Sequence, residues 1–294
     1  MYNFNTISKL IELVEEKNIS IFDLVIQREM EINEKSKEDI LDLMRKNLAV
    51  MKDAVEKGLT ENLKSTSGLV GGDAKLVDKA RTQGKAITGE VMSSAIANAL
   101  AISEVNACMG KIVAVPTAGS CGILPGALLA VVKDRKIDDE KVVQAMFVAA
   151  AIGIVIAEQA SVSGAEGGCQ AECGSASAMA AAAIVYMLGG TNKQICNAVA
   201  LSLKSILGLV CDPVAGLVEV PCVKRNAMGA GNALVSAEMA LAGVESVIPV
   251  DEVILAMKEV GDSIPKELKE TSIGGLAVTP TGCKIKDRLL DCKL

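Results

Sequence analysis

Nine cysteines and no histidine limit the chemistry open to this chain of 294 residues. Without imidazole there is no Ser–His–Asp or Cys–His nucleophile system, and the usual zinc-enzyme ligand sets are missing too. The sequence opens on alternating charged and apolar residues (MYNFNTISKLIELVEEKN) with no signal-peptide core, which predicts a cytoplasmic chain. An odd cysteine count in that setting argues against a disulfide framework. The thiols are left with two roles: metal or cluster ligation, or burial as small apolar groups.

Three segments place polar chemistry among apolar neighbours. The first, residues 116–126 (PTAGSCGILPG), puts glycines and hydroxyls ahead of a helix. That composition suits close approach of backbone N–H groups to an anion, and it equally suits an ordinary turn. The second, residues 161–174 (SVSGAEGGCQAECG), sets Glu166 and Glu172 around Cys169 and Cys173, whose i, i+4 spacing forms a metal pair if the stretch is helical. The third, residues 211–226 (CDPVAGLVEVPCVKRN), carries Cys211 and Cys222 beside Lys224 and Arg225, which favour thiolate and can hold a carboxylate. Cys169, Cys211 and Cys222 lack the clustered spacing of ferredoxin ligands, so spacing alone assigns nothing.

The elements that position these segments read as helices. Half of the residues are hydrophobic and only 2% aromatic, so the core is built from Ala, Val, Ile, Leu and Met. Residues 86–232 carry 20 of the 66 charged side chains and form the buried part. Ser36 and Asp39 form a capping-box pattern, with Leu41, Met44, Leu48, Met51 and Val55 at helical spacing up to Gly58, a candidate C-terminal glycine. A further helix starts near Ser20, and others span about 90–109, 142–161, 175–188, 195–209, 227–242 and 250–260. Strand signals at 112–115 and 218–220 are short. The expected fold is mainly α, about 40–60% helix: a compact bundle of buried apolar helices with Gly/Pro-rich active-site loops between them. It forms one domain over 1–294, with a flexible C-terminal tail over about 273–294. The longest apolar runs, 145–157 and 178–188, fall short of the roughly 20 residues that cross a bilayer, so no membrane span is expected. A net charge of −6 and five aromatic side chains argue against nucleic acid as a partner.

The strings SVSGAEGGCQAECGSASAMAAAA, LGLVCDPVAGLVEVPCVKRNA and MGKIVAVPTAGSCGILPG are long and specific. From about residue 40 to 283 the chain resembles the α subunit of iron–sulfur-dependent L-serine dehydratases (L-serine ammonia-lyases). The resemblance implies a 4Fe–4S cluster held by Cys169, Cys211 and Cys222, with Cys173 outside the ligand set. It implies that one iron, lacking a protein ligand, acts as a Lewis acid and renders the enzyme oxygen-sensitive. L-serine would then yield 2-aminoacrylate and water, and finally pyruvate and ammonia. The separate α+β domain of single-chain members is absent here, which implies a two-chain enzyme with a β subunit. Candidates for the base are Glu166, Lys224, Asp212 and Ser120, or a group of the β subunit. Thr117, Ala118, Gly119 and Ser120, with Ser163, Arg225 and Asn226, are the expected substrate-binding set. The string GGLA at 274–277 precedes Cys283 as in family members whose tail cysteine serves as a temporary fourth ligand, and Cys292 is the alternative. Competing readings are a related cluster-dependent L-cysteine desulfidase and a non-enzymatic iron–sulfur protein. The polar loops around the cysteines speak against the latter.

Overall fold

The computed structural model describes residues 3–291, and among these it contains thirteen α-helices and no strand. Helix accounts for about 70% of the structure, above the range expected from the sequence, because short helices occupy the charged ends as well. The elements run α1 (Ile7–Lys17), α2 (Ile21–Asn33), α3 (Lys37–Thr60), α4 (Asp73–Thr82), α5 (Gly89–Ala107), α6 (Ile123–Arg135) and α7 (Asp139–Gln159). They continue with the single turn α8 (Gly164–Gly167), then α9 (Ser175–Met187), α10 (Asn192–Lys204), α11 (Cys222–Leu241), α12 (Val250–Ser263) and α13 (Pro280–Asp291).

Local signals explain most boundaries. Ser20, Ser36 and Thr191 cap α2, α3 and α10 in reciprocal capping boxes with Asp23, Asp39 and Gln194. Gly58, in contrast, does not end α3. It is buried inside the helix where α3 crosses α5, and an added Cβ would lie 2.5 Å from the Ala101 backbone. Close approach, rather than a left-handed turn, requires that glycine. α10 stops at Lys204, earlier than the apolar pattern to 209, and Gly208 follows with φ +85°. α11 starts at Cys222, five residues before the expected 227, immediately after Pro221. The short strand signals at 112–115 and 218–220 form no strand, and the one β-bridge among the described residues pairs Cys211 with Lys269.

The centre of the molecule is α9, SASAMAAAAIVYM, in which every side chain except Tyr186 is buried. Its alanines let α7, α10, α11 and α6 close around it. One apolar core gathers side chains from Phe4 to Met257. α7 is the one described helix long and apolar enough to cross a membrane, and it is mostly buried inside this core. Residues 275–278 form a 3-10 turn ahead of α13, and Cys292 lies outside the described residues.

A buried charge ties α4 to the bundle. Glu104 of α5, with no exposed surface, accepts hydrogen bonds from the N–H groups of Gly72 (3.0 Å), Asp73 (2.7 Å) and Ala74 (3.3 Å). It therefore caps α4 from outside, at the end where the helix dipole favours an anion. Burial nevertheless holds its carboxyl above the ordinary range, against the pull of those three donors. The folded chain therefore keeps a proton that the unfolded chain releases. The resulting stability is complete below the ordinary carboxyl pKa and is lost as pH rises through the folded value. Glu104→Ala should cost about 2–3 kcal/mol in urea unfolding and release α4 amides to hydrogen exchange. Glu104→Gln should cost less and flatten that pH dependence.

Candidate active site

The thiol-bearing segments converge at one end of α9. Cys169 precedes a π-helical turn, Gln170–Gly174, that leads into α9. This turn brings Cys169 Sγ within 3.3 Å of Cys173 Sγ. Cys211 sits in the loop after α10, its N–H donating to Leu268 O and its carbonyl accepting from Glu270 N, both at 2.8 Å. Cys222 is the first residue of α11. Buried Gln170 holds two of these segments in register. Its amide donates to Met257 O (2.8 Å), its side-chain oxygen accepts from Gly208 N (2.9 Å), and its own N–H donates to Leu209 O (2.9 Å).

The four thiols are all buried and unequal in charge. The Cys169 thiol is drawn down to about 3, because Cys173 and then Cys211 donate S–H hydrogen bonds to its thiolate, and Arg225 adds positive charge against the cost of burial. The same hydrogen bond, and then burial, drives Cys173 and Cys211 upward as the protonated partners. Burial pushes Cys222 up to about 12, with the Cys169 charge adding to it. Arg225 reaches this group from α11 while fixed elsewhere. Its Nη1 donates to Val210 O (2.9 Å), and its Nη2 lies 2.9 Å from Asp212 Oδ1 in an ion pair not angled as a hydrogen bond. The other Asp212 oxygen accepts from Leu276 N at 2.8 Å, which docks the GGLA string. Gly275, at φ +58°, is required there, since a Cβ would fall 2.5 Å from Asp212 Oδ2.

The loop after Pro116 closes the other side. Asn226 of α11 accepts from Gly122 N (2.9 Å) and donates to Gly119 O (2.7 Å) and Cys222 O (3.0 Å), joining that loop to the start of α11. Thr117 Oγ1 donates to Glu172 Oε1 and lies 3.1 Å from Ser120 Oγ, which in turn donates to Val115 O (3.2 Å). Gly119 makes room for Glu172: a Cβ there would lie 2.4 Å from its Oε1. Burial raises the Glu172 carboxyl to about 7 against the Thr117 hydrogen bond, and the Cys169 charge adds to the rise. Ligand atoms of Cys169, Glu172 and Cys173 lie within 4.8 Å of one another, close enough to share one metal ion.

Of the residues singled out from sequence, Cys169, Cys211, Cys222, Arg225 and Asn226 meet here, together with the loop carrying Thr117, Ala118, Gly119 and Ser120. Ser163 joins them as the residue before Gly164, whose added Cβ would lie 3.1 Å from Cys211 Sγ. Three others are placed elsewhere. Glu166 accepts from Ser161 Oγ (2.6 Å) and lines an open cleft of about 380 Å³ with Lys258, Asp262 and Lys269. Lys224 is half-exposed and paired with Asp73 at 2.5 Å. Cys283 is exposed in the first turn of α13. The remaining described thiols, Cys108, Cys121 and Cys196, are each raised by burial. Cys173 and Glu172 belong to the assembly as well, although the resemblance set Cys173 outside the ligands and gave Glu172 no role. The i, i+4 spacing of Cys169 and Cys173 was the available signal for the first, and the carboxylate between them for the second.

Fold and site together define an all-helical protein with a buried thiolate centre beside a polar, glycine-rich loop. A family model for the serine dehydratase alpha chain matches residues 16–277, and the chain belongs to that family. It is 54% identical over 97% of its length to a probable L-serine dehydratase alpha chain of Bacillus subtilis, covering 95% of that protein. It is 46% identical over 96% of its length to the L-serine dehydratase alpha chain of Peptoniphilus asaccharolyticus, covering 97% of it. Against the L-serine dehydratase of Streptomyces coelicolor it is 37% identical over 96% of its own length but covers 62% of the longer protein.

Asn226 is the residue through which the loop and α11 hold each other. Asn226→Ala should lower stability by about 2–4 kcal/mol, because it leaves buried backbone groups at Gly119, Gly122 and Cys222 without their partner. Denaturant titration measures the loss, and proteolysis within residues 117–122 should accelerate.

Proposed function

We propose that the chain is the α subunit of an L-serine dehydratase, converting L-serine to 2-aminoacrylate and water, with pyruvate and ammonia as final products. The observation that carries this reading is the convergence of Cys169, Cys211 and Cys222 from three distant segments onto one buried site beside the 117–122 loop. The relatives named as L-serine dehydratases support the substrate. The donor set fits an iron–sulfur cluster: three buried cysteine sulfurs, soft donors of the kind such clusters take. In our reading Cys169, Cys211 and Cys222 hold a 4Fe–4S cluster, and Cys173 stays behind Cys169 as an S–H donor. When bound, such a cluster supplies a Lewis-acidic iron that eases departure of the serine hydroxyl.

The chain's own residues bind and orient. Backbone N–H groups in the 117–122 loop receive the substrate carboxylate, with Thr117 holding Glu172 beside them and Asn226 fixing that loop. Arg225 keeps Cys169 ionised and takes its own position from Asp212. Ser120 holds the loop, its hydroxyl committed to the Val115 carbonyl. With Glu166 and Lys224 engaged away from the thiols, the base for the Cα proton falls to the separate β subunit. On a single catalytic domain, the segment from residue 273 through α13 is the tail, seated on Asp212 through the Leu276 N–H. Cys283, exposed on that tail, would be the temporary fourth protein ligand of such a cluster.

Anaerobic purification with iron and sulfide analysis, followed by a pyruvate assay on L-serine, tests the reading. Cys169→Ser, Cys211→Ser and Cys222→Ser should each abolish iron retention, whereas Cys173→Ser should keep it. Iron retained by the Cys211 variant would overturn the ligand set. The α chain alone should be nearly inactive and should recover when the β subunit is added. Cys283→Ser should keep the cluster but change its resting spectrum and air sensitivity, and Cys292→Ser should change neither.

A further inference from the structure

The polar atoms left uncommitted at the thiol site are acidic. Glu172 uses Oε1 to accept from Thr117, and its Oε2 has no hydrogen-bond partner among the described residues. Glu270, which follows the backbone that brackets Cys211, has a side chain with no partner there either. It adopts φ +64°, a left-handed conformation that a non-glycine residue rarely takes, and the chain that pairs with Cys211 on either side holds it so. Gly164 shows where these groups meet. A Cβ at that position would lie 3.1 Å from Cys211 Sγ, 3.3 Å from Glu270 Oε2 and 3.5 Å from Glu172 Oε2. The glycine therefore keeps open a small space bounded by one thiol and two carboxylate oxygens. The nearby cation cannot neutralise it, since Arg225 is already divided among Val210 O, Asp212 and Cys169.

A zwitterionic substrate offers two charged ends. The backbone N–H groups of the 117–122 loop suit its carboxylate, and an acidic pair suits its ammonium. We infer that Glu172 and Glu270, converging on Gly164 beside Cys211, form the receptor for the substrate's α-ammonium group and so select amino acids over hydroxy acids. This rests on the L-serine reading above and adds the residues that determine specificity. Glu270 is exposed and Glu172 half-buried, so the pair faces an open mouth, and removing one charge-assisted partner of an ammonium there weakens binding roughly 10- to 100-fold.

The test uses the anaerobic α–β complex with its cluster loaded and two ligands that do not react. L-alanine keeps the ammonium and lacks the hydroxyl, and 3-hydroxypropanoate keeps the hydroxyl and lacks the ammonium. Calorimetric titration of Glu172→Gln should show L-alanine binding weakened roughly 10- to 100-fold, with 3-hydroxypropanoate unchanged. KM for L-serine should rise in parallel. Glu270→Gln should shift the two ligands in the same sense, and it carries the test if the Glu172 variant loses its fold or cluster, because the Glu270 side chain has no hydrogen-bond partner among the described residues. Equal weakening of both ligands, or no change for L-alanine in either variant, would overturn the proposal while wild-type turnover of L-serine still stood. Failure of the wild-type complex to release pyruvate from L-serine would overturn the functional reading and this inference with it.

Discussion

Cys169 can be an anion inside an alanine-rich bundle only because three other groups converge on it. Cys173 donates its S–H group, Cys211 adds a second one that it would give up on ligating a cluster, and Arg225 brings a full positive charge. A thiolate buried without such partners would take up a proton, as burial, with the Glu172 charge adding to it, drives Cys121 to about 12. Much of the surrounding architecture serves this requirement. Arg225 must be aimed, which Asp212 and the Val210 carbonyl do. Asp212 must itself be fixed, and the Leu276 N–H does that from the far end of the sequence. A chain of polar contacts thus links the C-terminal segment to the thiol centre, and Gly275 is its narrowest point.

A centre of this kind cannot be built from regular helix alone. Side chains inside α9 are buried on all sides, and none of them carries a charge. The polar atoms therefore come from places where helices begin or break: the π turn before α9, the first turn of α11, the loop before α6 and the irregular chain around Cys211. Each break exposes backbone groups that need partners. Gln170 and Asn226, both buried, supply them with side-chain amides that can donate and accept at once. Two amides and a few glycines are what let a polar site stay dry enough for its charges to act strongly on one another.

The helical class and most element positions were legible in the sequence, because caps such as Ser20 and Ser36 and the apolar periodicity act locally. Gly58 was misleading for the opposite reason. Its purpose is contact with Ala101, more than forty residues away, and nothing local distinguishes that from a helix stop. The extra turn at the start of α11 was hidden too, since the charged pair Lys224 and Arg225 interrupts the apolar pattern while the backbone is already helical. At the site, the motif strings pointed to three thiols and a loop that the fold brings near one another. They could not show that Lys224 faces Asp73 or that Glu166 turns to Ser161, because side-chain partners are decided by tertiary packing.

The π turn explains why Cys173 and Glu172 were the hardest residues to read. In an ordinary helix, Cys169 and Cys173 would lie one turn apart on one face, and Glu172 would stand beside them. With the π turn over Gln170–Gly174 the two sulfurs stand 3.3 Å apart and the Glu172 carboxylate lies against Gly119 and Thr117. That contact works only because residue 119 has no side chain, so the geometry depends jointly on two segments that are 53 residues apart from Gly119 to Glu172. Neither segment carries the information alone. A thiolate, its S–H donor and an adjacent carboxylate are brought to one place by a backbone irregularity on one side and a missing Cβ on the other.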